Sequence, residues 1–299
     1  MTYEVVAQVH RLLGNSKAEI TSLVPSSTEK IQLENMKFFL CCVFLLGSGL
    51  AVSAASFNKI VGAEKAKPHE FPYMISLQWK DHETTKHFCG GALINERWVL
   101  TAGHCVKAFN ANTSIVAGAH NIKKPDEYEQ RRTPKRTFIH ENYAGDVAPH
   151  DIALVEVTEP FELNAQVSLV NLPTGEAFYP TGYATISGWG SYSNIFLPAF
   201  PDELLKAELP ILPEEKCFND YPGSAMHKTN ICAGEPNGSK AICSGDSGSP
   251  LVQKNASGEI QVHGVTSWTW VPCGTAGRTG VFVNVMHYLD WISEKMNSE

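Results

Sequence analysis

Short apolar stretches, broken at close intervals by turn-forming residues, run through most of the chain. Val281-Phe282-Val283-Asn284-Val285 and Ile260-Gln261-Val262-His263 alternate with the period of two expected of a strand with one buried face. Trp98-Val99-Leu100 and Ile152-Ala153-Leu154-Val155 are apolar throughout, as strands buried on both faces are. Clusters such as Glu235-Pro236-Asn237-Gly238 and Asn255-Ala256-Ser257-Gly258 punctuate them as turns. Heptads and solenoid repeats are absent. Helical spacing shows at the end, where Val285, Tyr288, Leu289, Ile292 and Met296 predict an amphipathic helix packed on the body. The pattern predicts an all-β protein that finishes in one α-helix.

Composition agrees with a globular, turn-rich chain: 43% hydrophobic, 18% charged, with 23 Gly and 17 Pro in 299 residues. The net charge is −7, and beyond residue 59 the balance is 19 basic against 27 acidic residues, so nothing points to nucleic acid. The one basic cluster, Arg131-Arg132 with Lys135-Arg136, reads as a solvated strand edge or loop, the functional alternative being a self-cleavage site or an exosite. From Met36 the chain shows Lys37, the apolar run Phe38 to Leu46, and Ala51-Val52-Ser53-Ala54-Ala55. A basic start, an apolar centre and a small-x-small ending predict a secretory signal peptide over residues 36–54, cleaved after Ala54. Residues 1–35 then read as an upstream extension outside the fold, the rival being an uncleaved anchor or an alternative isoform. The run is too short, and too close to Gly47 and Gly49, for a membrane span. Cys41 and Cys42 leave with the signal, and the six remaining cysteines fit an oxidising, extracellular compartment with fifteen possible connectivities. No close Cys-x-x-Cys pair suggests a metal site, and no cofactor motif is present. Sequons at Asn112, Asn237 and Asn255 offer glycosylation sites in a secreted chain.

The candidate chemistry lies in Cys243-Ser244-Gly245-Asp246-Ser247-Gly248-Ser249-Pro250. A serine that attacks a carbonyl stands on a tight turn, beside free backbone N–H groups and within reach of a base. Gly245 and Gly248 admit conformations that a β-carbon opposes, so the N–H groups of Gly245 and Ser247 can converge on one point. Alone such a turn is weak evidence. Thr101-Ala102-Gly103-His104-Cys105 and His150-Asp151-Ile152-Ala153-Leu154 supply the base and its orienting acid.

With these flanks, and in the chain order His, Asp, Ser, the sequence resembles the chymotrypsin-like (trypsin-fold) serine proteases from Ile60 to the C-terminus. An α/β hydrolase, in which the serine comes first, is disfavoured by that order. The resemblance implies two six-stranded antiparallel β-barrels, divided near Leu163 to Thr174, with the active site in the cleft between them. It implies a catalytic triad of His104, Asp151 and Ser247, an oxyanion hole at Gly245 and Ser247, and the pairings Cys89–Cys105, Cys217–Cys232 and Cys243–Cys273. Residues 55–59 become a short propeptide. Cleavage after Lys59 would free the ammonium of Ile60, which then pairs with Asp246. In the precursor, His87 and Ser76 match the residues that hold that acid elsewhere.

The same resemblance places Ala241 at the floor of the primary pocket, where trypsin-like members carry an acid. Ile242 makes its base apolar, Thr269 narrows one wall, and Gly280 leaves the other open. Ser267 would bond the triad acid, and the backbone from Ser267 through Trp268 to Thr269 would pair with substrate. An uncharged floor gives Lys or Arg no partner, so medium apolar side chains are expected. Three positions depart from the family pattern: Ser249, Gly103 and Ala63. In the loop that binds calcium in some relatives, Glu129 matches one ligand but Ala119 replaces another. The expectation is a secreted, monomeric serine endopeptidase made as a zymogen, digestive in role. Its partners would be polypeptide substrates, an activating trypsin-like protease and protein inhibitors. The rival reading is a catalytically silent homologue that serves as a binding module; its signature would be a lost triad residue, and none is lost.

Overall fold

The computed structural model describes residues 62–81, 84–174, 179–192, 199–221 and 226–298. The expected extension, signal peptide and propeptide, with Lys59 and Ile60, lie outside the described residues. The apolar runs of the sequence are strands. After the two-residue β1 (Glu64–Lys65), a first antiparallel sheet is built from β2 (Met74–Asp81), β3 (Thr84–Asn95), β4 (Trp98–Thr101), β5 (Thr113–Ala117), β6 (Gln130–Arg132), β7 (Pro134–Ile139) and β8 (Ala153–Val157). Its order is β6-β5-β2-β3-β4-β8-β7. The two outermost strands, β6 and β7, are separated in sequence by Thr133 alone, so one bent strand closes the sheet on itself and leaves no open edge to pair with another chain.

The second sheet takes β9 (Tyr183–Gly188), β10 (Leu205–Pro210), β11 (Asn230–Ala233), β12 (Pro250–Lys254), β13 (Ile260–Trp268) and β14 (Gly280–Asn284) in the order β1-β10-β9-β12-β13-β14-β11. A bridge between Ile211 and Ala233 joins its far strands. The two barrels expected from the resemblance are these two sheets, each with six strands once β6 and β7 are counted as one and the short β1 is set aside.

Burial explains both patterns read in the sequence. All of β4 and all of β8 are buried, as continuous apolar runs should be. β14 alternates in sequence yet is buried on both faces. Phe282 packs inside its own barrel with Ile186, Leu209 and Leu251, whereas Val283 joins the cluster that holds Leu77, Leu100 and Leu154 of the first sheet. The alternation separates two apolar environments rather than core from water. Val285–Tyr288 form a 3₁₀ turn, with Asn284 Oδ1 accepting from Met286 N at 3.2 Å, and the helix proper runs Leu289–Asn297. The helical spacing thus begins one tight turn before the helix.

Two short helices, α1 (Gly103–Lys107) and α2 (Glu214–Asp220), fall inside the β pattern, and the C-terminal helix is α3. The structure contains the disulfides Cys89–Cys105, Cys217–Cys232 and Cys243–Cys273. Each stabilises by roughly 2–4 kcal/mol, chiefly through the unfolded chain. The basic cluster lies on β6 and β7 and is paired: Lys135 and Arg136 meet the buried Glu156 at 2.9 and 2.5 Å, and Arg131 meets Glu129 at 2.7 Å. No helix among the described residues is long and apolar enough to cross a membrane.

Candidate active site

Strand pairing brings the histidine and the aspartate together. β4 and β8 are antiparallel neighbours with Thr101 opposite Ala153, so His104, three residues past Thr101, meets Asp151, two before Ala153. His104 Nδ1 donates to Asp151 Oδ2 at 2.7 Å, and His104 N donates to Oδ1 at 2.8 Å. Ser267, near the end of β13, donates its hydroxyl to Oδ2 at 2.6 Å. Asp151 is 1% exposed, so its charge rests on three donors from two elements. Because the carboxylate takes the Nδ1–H, His104 Nε2 is left as the basic nitrogen.

The Ser247 turn is held against the same place. Ser247 O accepts from Gly90 N on β3 at 2.7 Å, and Gly248 N donates to Thr266 O on β13 at 2.8 Å. Gly248 has φ +78, and a β-carbon there would stand 2.3 Å from Thr101 Oγ1 and 2.5 Å from Gly90 O. Only glycine lets the turn approach β3 and the end of β4, just ahead of the helix that carries His104. Among the described residues no hydrogen bond yet joins Ser247 Oγ to His104 Nε2, which faces Cys105 Sγ at 3.7 Å. In unliganded sites such contacts tighten when substrate binds. Cys89, His104 and Cys105 cluster closely, but the two sulfurs are bonded to each other and offer no thiolate.

A relay holds the loop that carries the expected oxyanion donors. Gln78 Nε2 donates to Ser76 Oγ at 3.0 Å, Ser76 Oγ bonds His87 Nδ1 at 2.8 Å, and His87 Nε2 bonds Gly245 O at 3.0 Å. With Ser76 donating, His87 carries its proton on Nε2 and donates to Gly245. Burial pushes the His87 pKa down to about 4, so the ring stays neutral at physiological pH. Asp246 does not meet the His87–Ser76 pair expected to hold it in the precursor: its oxygens accept from Gly190 N and Cys243 N, each at 2.9 Å, while His87 bonds Ser76 and Gly245. Burial pushes its pKa up to about 7 against those two bonds. A β-carbon at Gly190 would stand 2.3–2.4 Å from all three carboxyl atoms. Gly190→Ala is expected to displace Asp246 and lower kcat at least tenfold, with the loss visible as fewer sites titrated by an acylating reagent.

The expected pocket residues lie on β13, on β14 and in the loop before Cys243; Ala241, Ile242 and Gly280 are not among the residues that line the cavity beside Trp268 and Thr269. Ala241 and Ile242 are each 1% exposed. The space beside Gly280, expected to stand open, is instead filled by the Ile242 side chain, which a β-carbon there would meet at 2.6 Å. Trp268 and Thr269 line a pocket of about 430 Å³ together with Val147, Tyr221, Trp270, Val271 and Arg278. The last five were not anticipated; for Trp270 and Val271 the one sequence signal was their place in the aromatic-rich run Trp268-Thr269-Trp270-Val271. Trp270 and Val271 are 45% and 62% exposed, and the Arg278 guanidinium stacks 4.5 Å over Trp270.

The departures from the family pattern have local consequences. Ser249 Oγ is buried against Gly90 without a hydrogen-bond partner, and a side chain at Gly103 would press on Tyr143 and Asp151. The calcium ligand set does not fit: Ala119 is buried and has no side-chain oxygen, and Glu129 is taken by Arg131.

A family model described as Trypsin matches residues 60–292. Trypsin-4 of Rattus norvegicus is 36% identical over 261 residues, covering 87% of this chain and 99% of the relative. Trypsin-1 of Salmo salar is 36% identical over 260 residues, covering 87% and 98%. Kallikrein-15 of Homo sapiens is 34% identical over 270 residues, covering 87% and 99%. Fold, site geometry and relatives agree, and the chain belongs to the trypsin family of chymotrypsin-like serine endopeptidases.

Proposed function

We propose that the chain cleaves polypeptides through an acyl-enzyme on Ser247, with His104 as base and Asp151 as its orienting acid. The observation that carries this is the Asp151 carboxylate holding His104 by both backbone and ring at 2.8 and 2.7 Å. Ser247 Oγ attacks the scissile carbonyl as its proton passes to His104 Nε2. The N–H groups of Gly245 and Ser247 receive the oxyanion, a contribution of roughly 3–4 kcal/mol for one donor. Collapse breaks the C–N bond as His104 returns the proton to the leaving amine. Water, activated by the same base, then releases the acid and restores Ser247. The rival reading, a silent homologue, lacks support because all three side chains are present.

The finer reading is a secreted, monomeric digestive enzyme, made as a zymogen and activated by cleavage after Lys59 that frees Ile60 to pair with Asp246. The short propeptide favours a digestive role over a regulated cascade. The activator would be a trypsin-like protease, and protein inhibitors would be partners. The name trypsin borne by relatives does not fix specificity here, because Ala241 puts no charge at the pocket floor and Ile242 closes the space beside Gly280. A peptide library treated with the activated enzyme should be cut after Leu or Phe at least 100-fold more often than after Arg. A preference for Arg overturns the pocket reading. Ala241→Asp should bring in cleavage after Arg and Lys, the buried acid finding its partner only in a cationic substrate.

A further inference from the structure

Asp151 sits at the centre of a very tight turn. Ile152 N donates to His150 O at 2.8 Å, an i to i+2 bond that closes a γ-turn around the aspartate. The residue that opens this turn, His150, has φ +64, a left-handed conformation that few non-glycine residues adopt. Something beyond the local backbone must therefore hold His150, and its ring shows what does. His150 Nδ1 lies 2.8 Å from Tyr288 Oη, Tyr288 donates to Thr229 Oγ1 at 2.9 Å, and Thr229 Oγ1 lies 2.9 Å from His227 Nδ1. Since the Tyr288 proton goes to Thr229, the bond from His150 is an Nδ1–H donation, and every member of the chain is satisfied in one direction. The His150 ring is also held by two further imidazoles. It stacks on His140 at 5.1 Å and 12°, and meets His227 at 4.9 Å and 51°. On the far side of the turn, His140 N donates to Ile152 O at 3.0 Å.

We propose that His150 is a positioning residue of the reaction: its clamped ring fixes a left-handed backbone, and that backbone aims Asp151 at His104. The inference rests on the reading of Asp151 as the triad acid. The three donors on the Asp151 carboxylate fix its far end, whereas the direction in which the side chain leaves the backbone is fixed by the γ-turn. A turn free to relax moves the carboxylate off His104 Nδ1 without emptying the substrate cleft, so the loss falls on turnover rather than binding.

The test compares His150→Gly, His150→Asn, Tyr288→Phe and Asp151→Asn in the enzyme expressed as its full precursor and then activated, with rates referred to titrated active sites. His150→Gly accepts the left-handed backbone but leaves it unclamped, and is expected to lower kcat about tenfold at unchanged KM. Tyr288→Phe removes one oxygen from the relay and should lower kcat in the same direction. His150→Asn, which tolerates φ > 0 and carries an amide donor, should restore kcat to within about threefold. The proposal is overturned if His150→Gly and Tyr288→Phe lose thermal stability but keep full kcat per titrated site, or if His150→Asn is as impaired as His150→Gly. If Asp151→Asn itself keeps full kcat, the triad reading falls first and takes the proposal with it. A large loss in Asp151→Asn beside unaffected His150 variants sinks the proposal alone.

Discussion

Asp151→Asn should leave a folded enzyme whose kcat is lower by about 10⁴, a magnitude carried over from the family's own triad, and Ser247→Ala should lower it by on the order of 10⁶. The hydrogen bonds around Asp151 show why an isosteric amide is so damaging. His104 N is a backbone donor that cannot turn, so the amide must present its oxygen at the Oδ1 position, where that N–H lies at 2.8 Å. Its NH₂ then falls at the Oδ2 position, facing the Ser267 hydroxyl and His104 Nδ1 at 2.6 and 2.7 Å. The hydroxyl can rotate to accept. The imidazole can accept only by moving its proton from Nδ1 to Nε2, and a protonated Nε2 cannot take the proton of Ser247. The variant should keep its disulfides, its fold and its KM, and nitrogen NMR of His104 should report the changed tautomer. Retention of kcat within tenfold in either variant would remove the triad from the mechanism and revive the binding-module reading.

Much of this site was legible because its parts are local. The flanks of His104, Asp151 and Ser247 are contiguous motifs, and the chain order His, Asp, Ser selects one template among unrelated folds. The barrels were legible from strand periodicity together with that resemblance. What the sequence hid was non-local. Nothing in the spacing of His140, His150 and His227 tells that three loops bring their rings into contact, since that contact depends on β7, β8, β11 and the C-terminal turn meeting in space. The pocket residues Val147, Tyr221 and Arg278 come from three further loops for the same reason. The alternation of β14 was misleading in detail, because a strand between two barrels meets apolar neighbours on both faces.

The second large effect concerns Asp246 and pH in the uncleaved chain. Among the described residues no cation pairs with it; two backbone N–H groups are its partners, and burial raises its pKa from 3.8 to about 7. A carboxyl whose folded pKa lies above its unfolded one binds its proton more tightly when folded. Its contribution to stability is therefore full below about pH 4 and is lost as pH rises through 7, a loss of about 4 kcal/mol. His87 runs the other way: burial lowers its pKa from 6.5 to about 4, so its contribution is present above 6.5 and lost as pH falls through 4. Urea unfolding of the Ser247→Ala precursor at pH 4.5 and 7.5, with and without Asp246→Asn, cancels His87 and isolates the acid. The precursor should gain stability relative to its Asn variant on going to pH 4.5. After cleavage at Lys59, an Ile60 ammonium paired with Asp246 would hold the carboxylate ionised, and the sign reverses. The activated chain should then be more stable than its Asn variant at pH 7.5 and lose that advantage in acid, as the carboxylate takes its proton and the pair is broken. A difference that stays flat with pH in both forms would mean that Asp246 carries no buried charge, and activation would then need a cause other than the arrival of the ammonium.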